Sequence, residues 1–242
     1  MSLLEKTIFI TGAARRIGHH LALSLAQAGA DIILHYGNSV TEAGQTAAEI
    51  RSIGRKVWLL QSDLEDSVAV TELIPRAFQT SPNLYAVINN ASIFEPLSFF
   101  ETDLHAWQRH MDINLTAPFL LSQSFANILP PNSTGRIINL LDWRSLRPGS
   151  DHFPYTISKA ALAALTQSMA MALAPRITVN GVAFGAILPP SDGGSAKTLL
   201  QSVPAQRWAN LDEVTQTVLF LLDGPTFITG EIIHLDGGRH LV

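Results

Sequence analysis

The chain contains no cysteine, which excludes disulfides and thiolate catalysis and fits a cytoplasmic protein. Charge is scarce as well. Only 15% of the 242 residues are Asp, Glu, Lys or Arg, 47% are hydrophobic, and the net charge is −4. Such a chain can bury a large core and does not have the composition of a disordered one. It holds no cluster of Lys and Arg, so no nucleic-acid partner is expected. Long apolar runs are missing too. Residues 160–174 come nearest, but Thr166, Gln167 and Ser168 interrupt them and the run is short for a bilayer. That stretch reads as a buried or subunit-facing helix, with no membrane partner expected. The opening MSLLEKTIFITG carries Glu5 and runs straight into a strand and a glycine turn, so no secretion signal is expected. The eight histidines form no HExxH or other ligand spacing, and no metal is expected.

What is present is a regular alternation. Runs rich in aliphatic and β-branched residues predict strands at Thr7 to Ile10, Asp31 to His35, Val57 to Leu60, Ala86 to Ile88, Ile137 to Leu141, Thr178 to Val182 and Glu231 to Leu235. Helical patterns fall between them, near 16–28, 41–53, 66–79, 104–129, 154–174 and 211–222. Strict alternation implies right-handed crossovers, hence a single α/β domain built as a doubly wound, Rossmann-like parallel sheet covered on both faces. Pro118 is expected to bend or split the region after Leu104, and Pro175 to stop the helix that follows Tyr155. Phe184 to Val203, with Pro189, Pro190, Gly193 and Gly194, is the least regular segment and a candidate substrate lid.

The fifth predicted strand leads into the chemistry. Asp142 stands at its carboxyl end, where open α/β sheets bind ligands. Tyr155 and Lys159 stand four apart at the start of a helix, so they project from one face. An ammonium one turn away favours a phenolate, and moving a phenol from pH 10 to about 7 needs roughly 4 kcal/mol of differential interaction. Tyr155 is thereby a candidate acid or base. Taken alone, YxxxK is also a common accident of a core Tyr and a solvated Lys.

The cofactor side begins at the first strand, which runs into Thr11-Gly12-Ala13-Ala14-Arg15-Arg16-Ile17-Gly18 and then a helix. Small residues let backbone N–H groups approach a pyrophosphate, and the helix N-terminus adds positive charge. Arg16 occupies the middle position of what is otherwise a glycine fingerprint. The second strand ends in His35-Tyr36-Gly37-Asn38-Ser39, with no acid to take a ribose 2′-hydroxyl. With Arg15 and Arg16 this favours a 2′-phosphate, hence NADPH. Asp63 can accept from an adenine amino group, its plainer role being an N-cap for the helix from Asp66. Asn89, Asn90 and Ala91 follow the fourth strand, where they can line the adenosine ribose.

Together these motifs resemble the short-chain dehydrogenase/reductase family over essentially the whole chain: the turn from Thr11 to Gly18, Asp63, Asn89-Asn90-Ala91, Asn114, Tyr155 with Lys159, and Leu235-Asp236-Gly237-Gly238. The resemblance implies a seven-stranded sheet, one NADP-binding domain over residues 1–242, and a homotetramer. It carries the cofactor-binding set onto Gly12, Arg15, Arg16, Ile17 and Gly18, then His35, Tyr36, Asn38 and Ser39, then Asp63, Leu64, Asn90, Ala91 and Ser92, and finally Tyr155, Lys159, Gly185 and Ile187. Of the family's Asn-Ser-Tyr-Lys site, Asn114, Tyr155 and Lys159 match and the serine does not. Asp142 stands in its place, thirteen residues before Tyr155. That exchange, with Arg16, is similar to the pteridine reductases and dihydromonapterin reductases of the family. So are Asn90-Ala91-Ser92-Ile93-Phe94 and the ending Asp236-Gly237-Gly238-Arg239-His240-Leu241.

The resemblance implies NADPH-dependent reduction of a dihydropterin, with Asp142, Tyr155, Lys159 and Asn114 catalytic, and Arg16, Ser92, Phe94, Asp142 and Tyr155 around the substrate. Asn38, where an arginine often helps hold the 2′-phosphate, and Phe184 before Gly185, where proline is usual, depart from the pteridine reductase pattern. A carbonyl reductase acting on 3-oxoacyl or small ketone substrates is the alternative, and a sensor without turnover a third possibility.

Overall fold

The computed structural model describes residues 3–189 and 200–242. Strands β1 (Thr7–Ile10), β2 (Asp31–Tyr36), β3 (Val57–Gln61), β4 (Leu84–Asn89), β5 (Gly135–Asp142), β6 (Ile177–Phe184) and β7 (Ile232–Leu235) form one sheet in the order β3-β2-β1-β4-β5-β6-β7. Every pairing is parallel. The expected architecture is what the chain adopts.

Side-chain alternation explains why the central strands are apolar on both faces. Ile8 and Ile10 of β1, Ile32 and Leu34 of β2, and Ile138 and Leu140 of β5 join one core layer. That layer lies under helices α1 (Arg16–Gln27), α2 (Val40–Ser52) and α7 (Leu211–Asp223), which contribute Leu21, Ala47 and Val218 to it. The intervening Phe9, Ile33 and Ile137 point the other way. They meet Leu73, Leu121 and Met169 of α3 (Ser67–Thr80), α5 (Ala117–Ile128) and α6 (Phe153–Leu173). The connections leave the sheet on opposite faces from β1 and β4, so the crevice opens between the carboxyl ends of these two strands.

The predicted helix near 104–129 is divided. Helix α4 (Leu104–Met111) passes into a π turn over Asp112–Thr116 before α5 begins. Pro118 is the cause: without an N–H, and with a ring that would meet the carbonyl of Asn114 four residues back, it forces the coil to widen. Asn114 thus sits in the wide turn. Strand β5 runs to Asp142 and β6 to Phe184, one and two residues beyond the sequence expectation, and these two residues are register partners. Within the expected lid, Pro190, Gly193 and Gly194 lie outside the described residues.

One buried histidine locks the glycine turn to β2. His35 is 2% exposed; its Nδ1 accepts from the Gly12 N–H at 3.2 Å, so Nε2 carries the proton and donates to the Ser62 carbonyl at 3.2 Å. Burial lowers its pKa from 6.5 to about 4, opposed by the Ser62 bond and by Asp63. The unfolded chain therefore binds more protons between about pH 6.5 and about pH 4, and stability is lost as the pH is lowered through that window. The full shift corresponds to on the order of 3 kcal/mol. Denaturant titrations at stepped pH should show this loss in the native chain and a flatter profile in His35→Asn; parallel profiles would contradict it.

Candidate active site

The turn after β1 is built to admit an anion closely. Gly12 has φ +62°, and a Cβ there would stand 3.1 Å from Ala91. A Cβ on Gly18 would collide with the Gly12 carbonyl and lie 2.7 Å from Asn90 Nδ2. Helix α1 starts with no acid in its first turn, and Arg15 before it offers no side-chain cap. Its N–H groups and positive end are therefore directed to the crevice, a cradle that fits a dinucleotide pyrophosphate. Arg15 and Arg16 are both exposed. Arg16, at φ 54°, donates through Nη2 to the Pro189 carbonyl at 3.3 Å and so bridges from the turn to the segment after β6.

Other predicted cofactor residues divide between facing the crevice and supporting it. Tyr36 ends β2 and Asn38 and Ser39 follow it, all half-buried or exposed, and Ser39 makes no cap bond. Asn90 spends its side-chain N–H on the Thr11 and Gly12 carbonyls at 2.8 and 3.1 Å, bracing the turn. His35 braces it from beneath, and its side chain is not free for a ligand. Asp63 is exposed and accepts from the Glu65 N–H at 3.0 Å. The helix cap expected of it belongs to Asp66, which accepts from Val68 and Ala69. Asp66 wins because it stands directly before the helix. Leu64 and Ile187 turn their side chains into the core. Gly185 packs against Asp236, where any Cβ would come within 2.7 Å.

At the carboxyl end of β5 the catalytic candidates meet. Tyr155 donates its hydroxyl to Asp142 Oδ2 at 3.1 Å. The other carboxylate oxygen, Oδ1, accepts from the Arg144 N–H at 2.9 Å and lies 3.5 Å from Arg144 Nη1. The backbone N–H of Asp142 in turn donates to Ser145 Oγ at 3.2 Å, completing a capping box on the short turn Trp143–Ser145. One oxygen holds the backbone and the other faces the phenol.

The electrostatics correct the expectation for Tyr155. Burial, then the charge and hydrogen bond of Asp142, raise its pKa well above 10, against the pull of Arg144. Lys159 does not bring it down. Its Nζ donates to the Leu140 carbonyl at 2.7 Å and stands 5.9 Å from the centre of the phenol ring, while burial lowers its own pKa to about 8. The closer carboxylate decides, so the resting state is a neutral phenol with a proton to give.

Asn114 is fully buried and uses every polar atom. It accepts from Ser92 Oγ and the Ile93 N–H, and donates to the Ile93 carbonyl and to Ser158 Oγ. Ser158 in turn donates to the Tyr155 carbonyl at 2.7 Å. Asn114 therefore joins the segment bearing Phe94 to the first turn of α6. Phe94 is 52% exposed and meets Tyr155 edge-on at 4.6 Å. Behind it lies His152, stacked at 3.9 Å and 10°.

Sequence reasoning missed His152 and Asp151; Arg144, readable beside Asp142 as a salt-bridge partner, pairs with Asp151 at 2.6 Å and links Asp142 to His152. It also missed Arg109, whose guanidinium bridges Glu65 and Glu95 at 2.6 Å each and ties the loop after β3 to the Phe94 segment. Only tertiary contacts bring these groups together.

A glycine cradle at the switch point and a proton donor at the neighbouring strand end define a nucleotide-dependent oxidoreductase site. Residues 12–240 match the family described as enoyl-(acyl carrier protein) reductase. A 3-oxoacyl-[acyl-carrier-protein] reductase of Synechocystis is 31% identical over 98% of both chains. FolM alternative dihydrofolate reductase 1 from Brucella canis, solved with NADP, superimposes at TM-score 0.91 and 34% identity, covering 98% of this chain and 95% of that one. A short-chain dehydrogenase from Burkholderia cenocepacia, also in complex with NADP, gives 0.92 and 32% over 99% of each. The chain belongs to the short-chain dehydrogenase/reductase family and is an NAD(P)-dependent oxidoreductase.

The chain has three tyrosines, so tyrosinate absorbance against pH, with Tyr155→Phe as reference, isolates the site. Tyr155 should ionise above the ordinary range near 10, and Asp142→Asn should move it down. Ionisation at one pH in both proteins would refute the coupling.

Proposed function

We propose that this oxidoreductase reduces a dihydropterin to the tetrahydropterin with NADPH. The observation that carries the reading is the carboxylate of Asp142, 3.1 Å from the Tyr155 hydroxyl. When bound, the nicotinamide cofactor supplies the hydride. Arg15 and Arg16, with no acid among Tyr36 to Ser39, favour a 2′-phosphate on its ribose. Lys159 would hold the nicotinamide ribose.

The sign of the charge selects the substrate. A ketone becomes an alkoxide as it is reduced, and a carboxylate beside the proton donor opposes negative charge on oxygen. A dihydropterin presents a C=N bond instead. Its nitrogen gains a proton and passes through a cationic form that a carboxylate favours. Two unit charges about 4 Å apart interact by about 4 kcal/mol at an effective dielectric of about 20, enough to separate these substrate classes. Tyr155 gives its proton to the ring nitrogen, directly or through one water, and Asp142 steadies the positive charge. Solvent then restores the proton to the pair. Phe94, with His152 behind it, stacks on the flat pterin; Ser92 and Arg16 lie at its edge.

The second reading, a 3-oxoacyl or ketone reductase, draws on the Synechocystis relative's name. A homotetramer in the cytoplasm completes the proposal, supported by the absence of cysteine and by exposed apolar residues such as Leu104 and Met171, 79% and 78% exposed.

The test is NADPH oxidation, followed by absorbance, with dihydromonapterin, dihydrobiopterin, dihydrofolate and a set of ketones. Turnover confined to pterins is expected. Turnover of ketones alone would overturn the reading in favour of the second.

A further inference from the structure

His152 stands directly before α6 in the left-handed region, at φ 49° and ψ 51°. Residues with a Cβ occupy that region sparsely, and one held there marks a place that its surroundings over-determine. The surroundings are visible. The Phe153 N–H donates to the Leu97 carbonyl at 2.7 Å, the Thr156 N–H to the His152 carbonyl at 2.8 Å, and Thr156 Oγ1 to the Asp151 carbonyl at 3.1 Å. The ring is held as well: Nδ1 donates to Asp151 Oδ2 at 3.2 Å, since the carboxylate can only accept.

This ring closes a circuit of contacts around the reacting pair. Tyr155 reaches Asp142, Asp142 reaches Arg144, Arg144 reaches Asp151, and Asp151 reaches His152. His152 then stacks on Phe94 at 3.9 Å and 10°, and Phe94 returns to Tyr155 edge-on at 4.6 Å and 83°. Arg144 approaches the Phe94 ring at 5.9 Å, the limit of cation–π reach. A phenyl ring has no polar atom with which to fix its own plane, and Phe94 is 52% exposed. Exposed side chains change rotamer within nanoseconds unless a neighbour holds them. The imidazole is that neighbour.

We propose that His152 is a positioning residue for the substrate's flat ring: it clamps Phe94 against Tyr155 and so makes the open part of the phenyl ring a fixed stacking surface. This rests on the pterin reading and adds to it how a flat substrate is favoured over a small ketone. A ring lying parallel to Phe94 stands nearly perpendicular to the Tyr155 ring, because Phe94 does. A small ketone has no ring to stack and gains nothing from the clamp. A surface ordered in advance reduces the freedom lost on binding, so the clamp acts on substrate affinity and not on the proton held between Tyr155 and Asp142.

The test compares His152→Asn with His152→Phe. Asn tolerates the left-handed region and offers Asp151 a donor but has no ring, whereas Phe returns a ring without the donor. In His152→Asn the KM for dihydrobiopterin should rise about two- to tenfold, the worth of an aromatic pair, with kcat and NADPH affinity kept, and His152→Phe should recover most of the rise. A KM that stays or falls, a loss confined to kcat, or a rise that His152→Phe does not recover overturns the proposal.

A second measurement needs no turnover. With 4-fluorophenylalanine at position 94, the fluorine resonance of the cofactor-free protein should shift in His152→Asn and move back towards the native position in His152→Phe. A resonance unmoved by His152→Asn overturns the clamp. A resonance that moves as expected in a protein that reduces no pterin supports the clamp and sinks the pterin reading alone. Pterin turnover with KM unmoved in His152→Asn overturns the clamp and leaves the pterin reading standing.

Discussion

The structure depends on one contact, the 3.1 Å hydrogen bond from Tyr155 to Asp142 at the carboxyl end of β5. Tyr155 is 7% exposed and its neighbourhood is poor in water, so a negative charge beside it keeps the phenol protonated. In the proposed function, that one sign decides which reaction the crevice favours. An oxygen gaining negative charge is opposed there, and a nitrogen gaining positive charge is welcomed. The carboxylate stays in place because its two oxygens are divided, one to the backbone of the turn after β5 and one to the phenol.

Around that contact, buried polar side chains fasten the strand ends to each other. His35 joins the glycine turn to the end of β3, Thr11 accepts from the Asn90 and Ala91 N–H groups, and Asn89, Asn139 and Thr166 form a buried chain from β4 through β5 to α6. A bond of this kind adds only about 1 kcal/mol net, yet leaving its partner unmatched costs about 1–3 kcal/mol. These bonds hold the crevice at a fixed width more than they stabilise the chain. Arg144 extends the same frame outward through Asp151 to His152 and the ring of Phe94.

Much of this was legible in the residues. Strands such as Ile137 to Leu141 are apolar on both faces because helices cover both, and that pattern survives without coordinates. The pairing of Asp142 with Tyr155 followed from a strand end and a helix face converging. Less legible was anything that depends on competition between neighbours. The Tyr155–Lys159 spacing placed the ammonium correctly on the helix but could not reveal that it turns to the Leu140 carbonyl, leaving Asp142 to set the phenol's state. His35 read as a ligand for the nucleotide because its burial beneath Gly12 arises from tertiary packing. Pro118 announced a break, and only the folded helix shows that the break takes the form of a π turn around Asn114.

The most direct measurement is steady-state turnover of a dihydropterin and of a ketone by Asp142→Ser, with cofactor affinity measured alongside. The substitution restores the neutral donor that the family pattern carries and removes the charge. Pterin turnover should fall by about 100-fold or more, the scale of a lost acid–base partner, while ketone turnover holds or rises and cofactor affinity is kept. Pterin turnover unaltered by the exchange would contradict the role assigned to Asp142.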